Sequence, residues 1–222
     1  MSAPRDIGVI FDMDGVLVDS AAPHWESWRL LAKEEGTTVR EQRFWETFGR
    51  PSADVVPALF GPVSPADLKR LSDRKEAIYR DLVGTTPPIV PGAGDLVRAL
   101  RDHGVRVAIG SSGPPENVEL VAKALGKGAK FDATVTADDV KRGKPHPDVF
   151  AITADRLGLP AERCVVIEDA PVGVEAARAA GCRCIGVTIY QPKEALDAAD
   201  LLVRALADVR VEDVVKLVTG SC

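Results

Sequence analysis

Three observations predict an α/β fold: a Rossmann-like parallel sheet core carrying an inserted all-α cap. Short apolar runs recur, among them Ile7-Gly8-Val9-Ile10, Val105-Arg106-Val107-Ala108-Ile109 and Cys164-Val165-Val166-Ile167, and read as strands covered on both faces. Helical periodicities alternate with the later runs, which implies parallel strands joined by helical crossovers. Between the first run and the second, residues 22–83 hold helical patterns and no good strand. A chain of 222 residues is long enough for one large domain or for a core with a modest second unit.

Taken in order, the first strand is followed by a helix over 22–35, where Trp25, Trp28, Leu31 and Ala32 recur at helical spacing and Gly36 stops the run. Further helices are expected at 41–48, ending at Gly49, and at 52–59. Ser64-Pro65-Ala66-Asp67 opens a longer helix, with Ser64 as N-cap and Pro65 at the first helical position. Its apolar residues Leu68, Leu71, Ile78 and Leu82 share one face. Thr85-Thr86-Pro87-Pro88 punctuates this block. Beyond it come a helix at 94–103, a strand at 105–109, a helix at 116–125 and a strand at 133–136. A helix at 147–157, a strand at 164–168, an alanine-rich helix at 171–180 and a strand at 184–187 follow. A short edge strand at 201–203 and a helix at 211–218 close the pattern. Residues 1–20 and 88–222 are thereby assigned to the core and 21–87 to the cap, with hinges near 19–21 and 85–88.

The formal net charge is -5, and no basic tract or aromatic-basic interleaving occurs, so nucleic acid is not an expected partner. No apolar run approaches a membrane span, and Met1-Ser2-Ala3-Pro4-Arg5-Asp6 carries no apolar signal region. A cytoplasmic location, no membrane partner, and a monomer or weak dimer are the expectations. Cys164, Cys182, Cys184 and Cys222 form no CxxC pair and read as small buried apolar residues.

Chemistry concentrates at the predicted strand ends. Asp12 and Asp14 follow the first strand, two residues apart and on one side of an extended chain. Two like charges so close need a bound cation, a shared proton, or both. Gly15 allows a sharp turn just past the strand, at the sheet edge where open α/β folds bind ligands. Ser111-Ser112 precede a helix, Lys144 follows the third strand, and Glu168-Asp169 end the fourth. A hydroxyl and backbone N–H groups before a helix suit phosphate oxygens. A lysine neutralises transferring phosphoryl charge. Carboxylates from two strand ends suit Mg2+, a hard cation that takes oxygen ligands. A carboxylate beside such an ion can attack phosphorus. Each cluster alone reads as a turn, a helix cap or a surface lysine; their common placement gives them weight.

The run Asp12-Met13-Asp14-Gly15-Val16-Leu17-Val18-Asp19-Ser20, the Ser111 turn, Lys144-Pro145, and Val166-Ile167-Glu168-Asp169 with Gly173 and Ala177 resemble the motifs of the haloacid dehalogenase superfamily over nearly the whole chain. The helical block, with Pro91-Gly92 after it, is similar to the branch that holds β-phosphoglucomutases and many sugar-phosphate phosphatases. The resemblance implies Mg2+ as cofactor and Asp12 as nucleophile. Asp14 would protonate the leaving oxygen and then deprotonate the water that cleaves the aspartyl-phosphate. Asp12, the main-chain carbonyl of Asp14 and Asp169 would hold the metal, with Glu168 in or beside its shell. Ser111, Ser112 and Lys144 would hold the phosphoryl group, and Gly15 would offer it a backbone N–H. An acid at Asp14 favours phosphoryl transfer over dehalogenation, because a departing halide needs no proton.

In the cap, His24, Arg50 and Lys75 are the residues expected to meet substrate, against the readings of a linker histidine, a solvated arginine and an exposed helix face. Trp25 and Trp45 read as packing. Gly113-Pro114-Pro115-Glu116 stands where β-phosphoglucomutases place polar residues that grip a second phosphate. Prolines donate no N–H, and Glu116 would repel an anion unless it pointed away. The expectation is therefore a Mg-dependent phosphatase of a small phosphorylated metabolite, a sugar phosphate, acting through an aspartyl-phosphate. A β-phosphoglucomutase-type phosphotransferase is the alternative, and a non-catalytic regulatory protein of the same fold the third reading.

Overall fold

The computed structural model describes residues 6–126 and 128–220, so Cys222 and the first five residues lie outside it. Six parallel strands form one sheet in the order β3-β2-β1-β4-β5-β6. They are β1 (Gly8–Phe11), β2 (Arg106–Gly110), β3 (Ala133–Val135), β4 (Cys164–Glu168), β5 (Arg183–Val187) and β6 (Leu201–Val203). The central strand, β1, sets Val9 level with Val107 on one side and Val165 on the other.

Period-two alternation sends the strand side chains into two apolar layers. Val9, Phe11, Ile109 and Ile167 meet Leu100 of α5 (Ala93–Asp102) and Val121 of α6 (Pro115–Ala124), with α9 (Val211–Thr219) on the same face. Ile10, Ala108 and Val166 meet Phe150 of α7 (Asp148–Leu157) and Val174 of α8 (Pro171–Ala179). Cys164, Cys182 and Cys184 belong to this second layer as buried free thiols, and burial pushes the first two up to about 12. No helix among the described residues is long and apolar enough to cross a membrane.

Helices α1 (Ala21–Glu34), α2 (Glu41–Thr47), α3 (Ser52–Phe60) and α4 (Pro65–Val83) intervene between β1 and β2. They bury an apolar cluster of their own that includes Trp28, Leu31, Phe44, Val56, Leu71 and Ile78. The Ser64 hydroxyl accepts the Asp67 N–H at 3.1 Å, and Pro65 opens the helix, as the sequence predicts. Trp25 packs on Phe44, and Trp45 packs on Phe44, Phe48 and Tyr190.

Most element ends fall within a residue or two of those read from the sequence. Two of the differences matter. The first two strands each run one residue further than expected. Past them, Asp12 N–H still donates to the Ile167 carbonyl at 3.0 Å, and Ser111 N–H to that of Val135 at 3.0 Å. Sheet hydrogen bonds therefore fix the backbone of both residues.

Leu100 has no exposed surface in the first layer. Leu100→Ala should lower the unfolding free energy in urea melts by about 2–5 kcal/mol. A loss below about 1 kcal/mol would contradict its place in the core.

Candidate active site

The four sequence clusters meet at the carboxyl edge of the sheet, where the strand order reverses. Asp12 leaves β1, Ser111 leaves β2, Glu168 ends β4, and Lys144 comes from the loop after β3, through a cis peptide to Pro145. Lys144 Nζ donates to Asp12 Oδ1 at 2.6 Å and to Glu168 Oε1 at 2.6 Å, with all three side chains buried. Glu168 Oε2 accepts the N–H groups of Asp169 at 2.7 Å and Ala170 at 2.8 Å, just ahead of α8. Both oxygens of Glu168 are thus engaged. Both oxygens of Asp169 are buried without a hydrogen-bond partner.

Asp12, Glu168 and Asp169 each bring an oxygen within 4.8 Å of the others. Burial, followed by the charge of Glu168, raises the Asp12 carboxyl to about 7 despite the opposing pull of Lys144. Burial, Glu168 and Asp12 raise Asp169 well above the carboxylate range. Buried, unpaired carboxyl oxygens beside further carboxylates are the donor set of a hard cation. The acidic trio can hold a metal ion.

Two glycines make room for the trio. Gly15 has φ +81°, and a Cβ there would overlap the Asp169 carboxylate. A Cβ on Gly173 would overlap the Glu168 carboxylate. The Gly15 N–H corrects one expectation: it donates to the Val18 carbonyl at 2.9 Å inside the turn and is not free for phosphate. The Ser111 hydroxyl, also buried, accepts the Gly113 N–H at 2.9 Å. Ser112 borders the same small cavity as Asp12 and Asp14.

Asp14 lies in a separate network. Ser20 Oγ donates to Asp14 Oδ1 at 2.6 Å, and His24 Nε2 stands 2.9 Å from the same oxygen. His24 Nδ1 is 2.7 Å from Lys75 Nζ. An ammonium only donates, so Nδ1 accepts and Nε2–H donates to Asp14. Burial alone would raise Asp14, but His24, the Ser20 hydroxyl and Lys75 outweigh it and hold the carboxyl below its ordinary range. The His24 ring stacks on Tyr79 at 4.1 Å. Lys75 also donates to Glu76 Oε1 at 2.9 Å, and Asn117 Nδ2 donates to Glu76 Oε2 at 2.8 Å. This polar chain leaves the core at Asp14, crosses α1 and α4, and returns to the core on α6.

His24 and Lys75 are both buried, so the linker and exposed-face readings fall away. Arg50 is exposed and borders the cavity. Glu116 is exposed and borders a different cleft. The sequence assigns no role to Glu76 or Asn117, which pair across 41 positions, and places Ser20 in the opening motif beside the expected hinge without showing its bond to Asp14. The six-residue step from Asp14 to Ser20 was the one local signal for its bond. The cavity between Asp12, Asp14, His24 and Ser112 is about 40 Å³, room for little more than ordered water.

A haloacid dehalogenase-like hydrolase family model matches residues 8–181, and the chain belongs to that family. The expected class, a phosphoric monoester hydrolase, stands with it. The chain is 31% identical over 202 residues to a validoxylamine A 7'-phosphate phosphatase of Streptomyces hygroscopicus subsp. limoneus, covering 90% of this chain and 94% of that one. It is 34% identical over 190 residues to a fructose-1-phosphate phosphatase of Escherichia coli (strain K12), covering 83% of this chain and 98% of that one. The crystal structure of β-phosphoglucomutase from Clostridium difficile matches with a TM-score of 0.86 at 26% identity, over 96% of this chain and 97% of that one.

Gly173→Ala tests the crowding around Glu168. It should lower the unfolding free energy by about 1–3 kcal/mol and reduce the melting temperature. An unchanged melting temperature would show that the carboxylate has room to move.

Proposed function

We propose that this protein is a magnesium-dependent phosphatase of a small phosphorylated metabolite, a sugar phosphate, working through a phosphoaspartate on Asp12. The observation that carries the reading is the division of two neighbouring carboxylates between separate networks. Asp12 is bonded to Lys144 beside Asp169, while Asp14 is bonded to Ser20 and His24.

In the first half-reaction an Asp12 oxygen attacks phosphorus, the ester P–O bond breaks, and the leaving oxygen takes a proton from Asp14. In the second, Asp14 takes a proton from water, the resulting oxygen attacks phosphorus, and Asp12 is released with inorganic phosphate. Lys144 screens Asp12 and the phosphoryl oxygens, while Ser111 and Ser112 orient the group. Magnesium, held by Asp12, the Asp14 carbonyl and Asp169 with Glu168 alongside, would neutralise charge on the nucleophile and the phosphoryl oxygens.

Ser20, His24 and Lys75 favour ionised Asp14, the form that accepts a proton from water. Substrate binding has to loosen that hold to make the acid form. Residues 21–87 act as the cap, and they move to admit substrate because the cavity of about 40 Å³ is too small for a sugar. Arg50, His24 and Lys75 then face the leaving group. The two phosphatase relatives support a sugar-like substrate by their names. The structural likeness to a β-phosphoglucomutase keeps the mutase as a second reading. Gly113-Pro114-Pro115 weighs against it, since two of these residues have no N–H for a second phosphate.

The test is phosphate release from a panel of sugar phosphates with magnesium. Activity should vanish on chelation and return with added Mg2+, and Asp12→Asn should lower kcat at least about 10³-fold. Isomerisation of β-glucose 1-phosphate that needs a bisphosphate primer and frees little phosphate would establish the mutase instead.

A further inference from the structure

The helical insertion draws part of its apolar cluster from the sheet. That cluster, which holds Trp28, Leu31 and Phe44, includes Tyr190 from the segment after β5. Every other member of it among the described residues lies between Ala21 and Ile78. The Tyr190 ring meets Phe48 edge-on at 5.9 Å and Trp45 at 6.2 Å, while its hydroxyl donates to the Asp19 carboxylate. Asp19 N–H in turn donates to the Pro88 carbonyl at 2.7 Å, where the chain entering the insertion runs beside the chain leaving it. A single side chain from the carboxyl edge of the sheet thus grips the insertion at its base and beside α2, through two chemically different contacts.

The place of that grip bears on the site. Phe48 opens the turn Phe48-Gly49-Arg50, and all three residues border the small cavity at Asp12 and Asp14. Gly49, with φ +87°, lies against the core: a Cβ there would stand 3.0 Å from the Ala170 Cβ and 3.4 Å from Val172 Cγ2. Ala170 directly follows Asp169. The turn is therefore held on one side by the segment after β4 and at its start by the Tyr190 ring. The polar chain from Asp14 through His24 and Lys75 runs on α1 and α4 and makes no bond to α2.

We propose that Tyr190 is a positioning residue: it seats the turn 48–50 against the segment that follows Asp169 and so holds the insertion closed on the sheet before substrate arrives. It acts through Phe48 and Asp19 and touches no reacting atom. The proposal rests on the reading of residues 21–87 as a moving cap and names the contact that sets its closed state. Ring packing and the carboxylate bond exist only while the insertion is docked, so together they weight the closed form. Without them a smaller share of the substrate complex is closed, and bulk water reaches the site.

Small-angle X-ray scattering of the unliganded full chain, with far-ultraviolet circular dichroism alongside, tests the proposal. Tyr190→Ala should raise the radius of gyration above that of the wild type and leave the helix signal unchanged. Tyr190→Phe keeps the ring, loses the Asp19 bond and should fall between the two. On a sugar phosphate that the wild type hydrolyses, kcat should drop at least about fivefold in Tyr190→Ala and be largely restored in Tyr190→Phe. A wild-type radius or a wild-type kcat in Tyr190→Ala overturns the proposal. A larger radius with a weaker helix signal also overturns it, because Tyr190 would then keep the insertion folded, not closed. Absence of turnover in the wild type overturns the phosphatase reading, and the scattering comparison still decides the role of Tyr190.

Discussion

Three carboxylates and one ammonium are buried together where β1 and β4 end, and much of the surrounding sequence answers to that one imbalance. Lys144 bonds two of the three acids, Asp12 and Glu168. Asp169 remains, with two buried oxygens and no donor. In the absence of a cation, protons must take up the excess, and the upward shifts of Asp12 and Asp169 register that demand. Backbone N–H groups hold one oxygen of Glu168, and glycines at 15 and 173 keep side-chain atoms out of the remaining space. A bound divalent cation would reverse the local pKa logic and let all three acids ionise.

The same constraint separates the two aspartates of the opening motif. Asp12 belongs to the buried acidic cluster. Asp14, two residues later, is turned toward Ser20 and the His24–Lys75 pair, where its charge is already compensated. Two carboxyl groups whose surroundings pull their protonation in opposite directions thus sit on one short turn. Asp14 is tied to the helical insertion through His24, so motion of α1 and α4 would reach it directly.

Local pattern made the framework legible. Strand and helix signals alternate, and strand ends in a parallel sheet converge by topology, so the sequence pattern alone gathers Asp12, Ser111, Lys144 and Glu168-Asp169 at one edge. What stayed hidden depends on long-range pairing or on shape. Lys75 and Glu76 lie in a heavily charged helix whose sequence reads as solvated, and only packing against His24 and Asn117 buries them. The motif presents Gly15 as a donor to phosphate, whereas its N–H closes the turn and its missing side chain makes room for Asp169. Tyr190, which lies beyond β5, joins the aromatic cluster of α2 and bonds Asp19 just ahead of α1, a contact across 171 positions that no periodicity reports.

The acidic cluster has the donors to hold a cation, and burial favours protons on Asp12 and Asp169 until a cation takes their place. Calorimetric titration of magnesium chloride into metal-free protein near neutral pH, in two buffers of different ionisation enthalpy, tests it most directly. One ion should bind per chain with release of protons, and Asp169→Asn should abolish the binding heat. Binding without proton release, or wild-type affinity in Asp169→Asn, would contradict the account.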